Sequence, residues 1–236
     1  MKLIIANDLL KILPEFHVYA YLISFSSNAL EKTKEVDVLL EDIYKSYPLE
    51  YDYSNITKDL KLKESRDGYK ILGKDPSHTR LASEALLRRV VKGEKLYRLG
   101  DVIDLGNVLS LKTKRSVCVV DADKIVGDVK IRIGNKEDNY EGIGRGMINV
   151  TSIPVYTDDF GPFGCPTSDT LRTMVTEETK NILVMLICFF SNHDDRQDEK
   201  LLIELYEKYI KCEKIIHISE ERQKLWWMII LISLKQ

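Results

Sequence analysis

Apolar positions recur along this chain with two periods, two residues and about 3.6 residues, and the switches between them mark the elements. Lys2–Ile5 reads as a short strand, and Asp8–Leu13 as a helical turn stopped before Pro14. Val18–Phe25 is rich in aromatic and branched residues, which predicts a buried strand. Val36, Leu39, Leu40, Ile43 and Tyr47 fall at helical spacing, so residues 35–46 form an amphipathic helix that Pro48 ends. Residues 50–78 are polar and tyrosine-rich, with a helix around 54–65 and punctuation at Gly73, Pro76 and Ser77; a flexible connection is expected there.

Leu81, Ala85, Leu86 and Val90 then define one face of a helix whose other side carries Arg80, Arg88 and Arg89, with Gly93 as its stop. A second helix runs over Asp101–Leu111. Val117–Val120, Val129–Ile133 and Ile153–Tyr156 read as strands between polar turns. Ile182–Phe190 is an unbroken apolar run of strand length, expected as a strand buried on both faces, with a buried helix as the competing reading. Ser191–Gln197 is a polar loop, residues 198–211 an amphipathic helix, and Ile215–Ile218 one more strand. Strands and helices mix without regular alternation, so the fold class is α+β. One domain over 1–236 is expected, with a strand-rich core at 75–190, an added N-terminal α/β layer at 1–70 and a C-terminal helix and apolar tail at 198–236.

Composition narrows the function classes. The chain has 236 residues, enough to bury a core without staples. Its 35 Lys and Arg against 37 Asp and Glu give a net charge of −2, which excludes a bulk phosphate binder but leaves room for a local basic patch. Cys118, Cys165, Cys188 and Cys212 form no C-x-x-C pair and read as free thiols in a reducing, cytoplasmic setting. The N-terminus lacks the pattern of a signal peptide. Leu225–Leu234, with Trp226 and Trp227, is too short to span a membrane and reads as a core or docking element, an oligomer contact or an interfacial anchor.

The familiar catalytic motifs are absent. Gly142-x-Gly144-x-Gly146 lacks the context of a nucleotide loop and reads as a turn or bulge between strands. His193, Asp194, Asp195 and Asp198 are metal-like by type but fit a solvated loop before a helix; the four histidines show no ligand spacing, and neither a metal nor a cofactor is expected. No G-x-S-x-G or P-loop is present. Two denser clusters remain. Around Arg80, Ser83, Glu84, Arg88 and Arg89, side chains three to four apart share a helix face, where arginines can clamp a phosphate or a carboxylate, or simply form local ion pairs. Pro162–Asp169 is a hydroxyl-rich turn, followed by Arg172-Thr173 and Thr176–Asn181, suited either to a polar ligand at a strand end or to capping.

These clusters carry a family resemblance. Ala82–Arg89, Asp101–Leu111 with Asp104 and Asn107, Asp121-Ala-Asp123-Lys124-Ile125, Ser168-Asp169-x-x-Arg172-Thr173 and Thr176–Asn181 together resemble the editing and tRNA-binding module of the bacterial phenylalanyl-tRNA synthetase beta subunit. That module is the paired third and fourth domains (the B3/B4 family), and the stand-alone relatives are the closer likeness. The resemblance covers roughly residues 75–190. It implies the module's α+β fold and hydrolysis of a mischarged aminoacyl-tRNA in trans, with tRNA as partner, no membrane and no aminoacylation core. Position by position, the family's pocket asparagine matches Asn107, its preceding threonine is Gly106, and its pocket histidine falls on Cys118. The Gly-Gly wall aligns with Gly164 and Cys165, and the glutamate that reads the tyrosine hydroxyl falls on Met185, which is too weak an acceptor for that task.

The implied pocket is thus Asn107, Cys118, Gly164, Cys165, Thr167, Ser168 and Asp169, with Arg80, Arg88 and Arg89 for acceptor-end phosphates. Two other readings stay open: a non-catalytic small-molecule or protein-binding module on the same fold, and a hydrolase of a small amino-acid ester without RNA. Oligomeric state, tRNA and amino acid are not legible.

Overall fold

The computed structural model describes residues 1–191 and 195–223. In chain order the elements are β1 (Leu3–Ile5), α1 (Asn7–Ile12), β2 (His17–Phe25), α2 (Lys34–Glu50), α3 (Leu60–Ile71), α4 (Ala82–Val91), α5 (Asp101–Thr113), β3 (Val117–Asp121), β4 (Val129–Ile133), β5 (Asn139–Gly142), β6 (Gly146–Asn149), β7 (Pro154–Asp158), β8 (Gly161–Cys165), β9 (Ser168–Asp169), β10 (Asn181–Cys188), α6 (Asp195–Tyr209), β11 (Cys212–Ile218) and β12 (Glu220–Arg222). They build one sheet in the order β12-β1-β4-β7-β8-β9, a second in the order β11-β2-β10-β3, and a separate β5–β6 hairpin.

The apolar run at 182–190 is a strand, and the layering explains why it lacks polar alternation. Leu183, Met185 and Ile187 of β10 pack between the two sheets, with Leu3 and Ile5 of β1, Val129 and Ile131 of β4, and Tyr156 and Phe163. Ile182, Val184 and Leu186 point the other way, into a core shared with Val36 and Ile43 of α2, Leu87 of α4, Leu105 and Leu109 of α5 and Leu202 of α6. Successive side chains of a strand face opposite sides, so a strand covered on both must be apolar throughout. The result is an α+β molecule of three layers: sheet, sheet, helices.

The first 25 residues lie inside this architecture. β1 is sandwiched between β12 and β4, both parallel to it, and β2 pairs antiparallel with β10 over Ser24–Asn181 to His17–Cys188. Several local expectations change. α2 continues through Pro48 to Glu50, because proline removes only one helical bond and the Tyr51 N–H still donates to the Tyr47 carbonyl at 3.0 Å. Residues 50–78 hold two helical segments: a 3-10 stretch at Tyr53–Lys58 and then α3, with Asp59 accepting from Lys61 and Leu62 N–H as its cap. The buried Tyr69 of α3 ties this segment to the inter-sheet core, so its polar composition marks a half-covered helix pair. The glycine triplet is the β5–β6 turn, with Gly144 and Gly146 at φ +65° and +70°. The Trp226-Trp227 tail lies outside the described residues. No described helix is long and apolar enough to cross a membrane.

Candidate functional site: an apolar pocket beside a basic groove

β3 pairs with β10 on one side only, and its open edge makes room for a cavity under α5. The cavity measures about 280 Å³ and is walled by Ile103 and Gly106 of α5, Val117 and Val119 of β3, and Leu30, Leu99, Ile143, Met174 and Val175. Strand alternation decides which β3 residues reach it: Val117 and Val119 face the cavity, while Cys118 turns into the inter-sheet core. Gly106 allows the close approach of α5 to β3, since a β-carbon there would lie 2.4 Å from a Val119 methyl. Two polar side chains enter this apolar wall, Asn107 and Asp169.

Asp169 is held from three directions. The Cys118 thiol and the Val119 N–H face its carboxylate from β3 and favour its ionised form. Gly164 of β8 lies flush against it, because a β-carbon at 164 would sit 2.6 Å from Oδ1. The Ile143 N–H donates to the Asp169 carbonyl at 3.1 Å, which docks the hairpin turn over the cavity. Burial pushes the Asp169 carboxyl up to about 7, against the opposite pull of the two donors. Burial, with the Asp169 charge next, raises the Cys118 thiol well above its ordinary value.

A second compartment of about 520 Å³ opens beside the first, and Leu99, Asn107 and Ile143 line both. Its walls carry Arg80, Arg88, Arg89, Lys92 and Arg145 against one carboxylate, Glu94. Two tyrosines interleave with these cations. Arg88 and Lys92 stand 5.1 and 4.9 Å from the Tyr53 ring centre, and Arg89 4.8 Å from that of Tyr97. The α4 face differs from the expected one. Ala85 and Leu86 line the groove, while Ser83, Glu84, Leu87, Val90 and Val91 turn inward. Leu87, Val90 and Val91 join the core behind β10, and Glu84 beside them, 1% exposed, accepts from Arg66 Nη1 of α3 at 2.6 Å and from Arg88 Nε at 2.8 Å.

Of the residues singled out by sequence, Asn107 lies on the boundary of the compartments, Asp169 in the apolar one, and Arg80, Arg88 and Arg89 in the basic one. Cys118, Gly164, Cys165, Thr167 and Ser168 do not line either cavity. They form the layer behind Asp169, where the Tyr140 hydroxyl donates to the Ser168 carbonyl at 2.5 Å and meets Cys165 Sγ at 3.1 Å, and Thr167 Oγ1 bonds the Tyr69 hydroxyl at 3.1 Å. Met185 is buried between the sheets, paired with Ala20 and Cys118, and is no part of the pocket wall. Tyr53, Lys92, Tyr97, Ile143 and Arg145 were not foreseen. The glycine triplet was the available signal for Ile143 and Arg145, which sit at its tip.

The acidic cluster near 195 differs from the solvated loop expected of it. Asp195 and Asp198 are buried because the fully buried Arg115 donates to both, at 2.5 and 2.9 Å. His193 and Asp194 lie outside the described residues. His17, Cys188 and Asp195 bring ligand atoms within 4.8 Å of one another. The Arg115 guanidinium already occupies Asp195 there, so a cation would meet a buried positive charge.

Two packed sheets, a helical cover and a site on an open sheet edge define an α+β module with a pocket at its exposed sheet edge. More particularly, the chain belongs to the B3/4 domain family, whose profile matches residues 64–204, more than half of the chain. An N-terminal fragment of the phenylalanyl-tRNA synthetase beta subunit from Pyrococcus horikoshii is similar in fold over 95% of this chain, with a TM-score of 0.51 and 11% identity. The chain spans 52% of that fragment. No curated relative matches the sequence.

Proposed function

We propose that this protein binds the 3′ end of an aminoacylated tRNA in trans and hydrolyses the ester when the amino acid is wrongly attached. The observation that carries the reading is the junction at Leu99, Asn107 and Ile143, where a basic, tyrosine-lined groove meets an apolar pocket holding one carboxyl group. An aminoacyl-RNA end has the same division. Its phosphates suit the arginines, its unstacked bases suit exposed tyrosine faces, and its amino-acid side chain suits the apolar wall. The ester bond joins the two halves, so Asn107 falls at the reacting centre. The family and the synthetase likeness support the same class of substrate.

Binding of charged and uncharged tRNA, followed by fluorescence anisotropy over a salt series, tests this. With three to five cations engaged on a single strand, log K against log salt should have a slope of about −2 to −3.5. Arg88→Gln and Arg89→Gln should each weaken binding and flatten that slope. Absence of binding at low salt, or a salt-independent affinity, would defeat the RNA reading. Binding and hydrolysis of a small amino-acid ester alone would then place the activity on the apolar pocket.

A further inference from the structure

We propose that Asp169 is the general base of this site, acting on the water that attacks the aminoacyl ester. The inference rests on the aminoacyl-RNA reading above and adds the group that performs the chemistry. Asp169 is the one carboxyl group among the described residues of the apolar cavity, and no Ser, Thr, Cys, His or Lys lines it. A side-chain nucleophile is therefore absent, and water must attack.

The carboxyl is built in rather than incidental. The Cys118 thiol and the Val119 N–H face it and favour its ionised form, Gly164 leaves room for Oδ1, and its own backbone is bonded to the hairpin turn. The ionisable groups that face it are Cys118 of β3, Cys165 of β8, Tyr140 of β5 and Tyr156 of β7. Burial raises each of them, so none carries charge near neutral pH, and no cation among them neutralises the carboxylate. A carboxylate without a cationic partner in an apolar wall is a stronger base than one in water.

In the step itself, the Asp169 carboxylate takes a proton from water as the water oxygen bonds to the ester carbon. Collapse of the tetrahedral centre breaks the bond to the ribose oxygen, and Asp169 returns the proton to that oxygen. The amino acid leaves as its acid and ionises in solvent. The Asn107 amide N–H stabilises the oxygen on which negative charge develops.

The experiment is single-turnover deacylation of a panel of labelled aminoacyl-tRNAs (alanyl, seryl, valyl, phenylalanyl and tyrosyl), with spontaneous hydrolysis subtracted. Over about pH 5.5 to 8.5 the enzymatic rate should rise, inflect and level as the base loses its proton. Asp169→Asn should be slower by about 10²-fold or more, while binding the same tRNA as tightly as the wild type. Cys118→Ala removes a donor that favours the carboxylate, so the inflection should move to higher pH, and Cys118→Ser should leave it in place. A wild-type rate and pH profile in Asp169→Asn, or an unmoved inflection in Cys118→Ala, would overturn the assignment. So would a wild type that binds tRNA with the expected salt slope yet hydrolyses no ester, and that result would leave the binding reading standing. No binding at all would defeat both.

Discussion

Glu84 holds the basic wall of the groove in place, and its charge can be removed without changing its shape. The side chain is 1% exposed and meets Arg66 Nη1 at 2.6 Å, Arg88 Nε at 2.8 Å and Arg80 Nε at 3.7 Å. In Glu84→Gln the two close guanidiniums face a neutral amide. Losing one partner of a buried ion pair costs about 3–5 kcal/mol. Arg66 and Arg88 keep 15% and 19% of their side-chain exposure and can turn partly to water, so the full figure does not apply. A loss of about 2–3 kcal/mol is expected, which for a chain of this size lowers Tm by about 4–12 °C. Thermal unfolding measures this, and a double-mutant cycle with Arg66→Met should show a coupling of about 1–3 kcal/mol. The tRNA affinity is the sharper readout. Removing a carboxylate makes the groove more positive, so field strength alone predicts tighter binding. The geometry predicts weaker binding, because Arg88 and Arg80 lose the group that aims them. A variant that melts with the wild type, or binds tRNA more tightly, refutes the positioning argument.

Two further substitutions test the packing behind the site and a buried amine. Gly164→Ala places a methyl 2.6 Å from Asp169 Oδ1 and 2.8 Å from the Tyr156 ring, so it should cost about 1–3 kcal/mol in urea unfolding and slow deacylation; a silent variant would show that Asp169 is not fixed there. Lys114 is 6% exposed, its Nζ donates to the Leu111 carbonyl at 2.6 Å, and burial pushes it down to about 8 from 10.5. The penalty for its charge is fully present below the folded value and is relieved as pH rises from about 8 toward 10.5, where the unfolded chain alone still holds the proton. Wild-type stability measured against Lys114→Met should therefore rise by about 3 kcal/mol across that window, and parallel stability curves would contradict it.

Periodicity located most of the elements because each long one has a face that must be buried. β2, β10, α5 and α6 follow from their apolar spacing, and β10 is apolar throughout because it is covered twice. The short strands β8, β9 and β12 were not legible: two to five residues carry too little pattern, and β8 is Gly-Pro-Phe-Gly-Cys. The facing of α4 was not legible because two apolar faces compete on its wheel, Ala85 and Leu86 against Leu87, Val90 and Val91, and the core takes the second. Family resemblance singles out Asn107 and Asp169, and both lie on the cavity walls. The side of β3 that lines the pocket was not legible, because alternation puts Cys118 on the far face from Val117 and Val119, a fact that depends on register. Tyr53 joins the site only because the 3-10 stretch at Tyr53–Lys58 packs on α4, and Tyr97 sits in the loop between α4 and α5, where no periodicity marks it.

The net charge of −2 and the basic groove belong to one arrangement. Much of the acid in this chain is committed to structural arginines. Arg98 bonds Asp37, Asp101 and Asp104, Arg115 bonds Asp195 and Asp198, Arg132 bonds Asp138, and Arg172 bonds Asp158. In the groove the balance reverses: five cations line it against the half-exposed Glu94, 3.9 Å from Arg89, and the buried Glu84 beneath Arg88 and Arg80. At physiological salt a field decays over about 8 Å, so a ligand outside the groove meets a weakly acidic surface and only one inside it meets the arginines. Such a distribution gives no general affinity for nucleic acid. It suits a short single-stranded end that can enter the groove, and under the proposed function that end would bring its ester to Asn107 and Asp169.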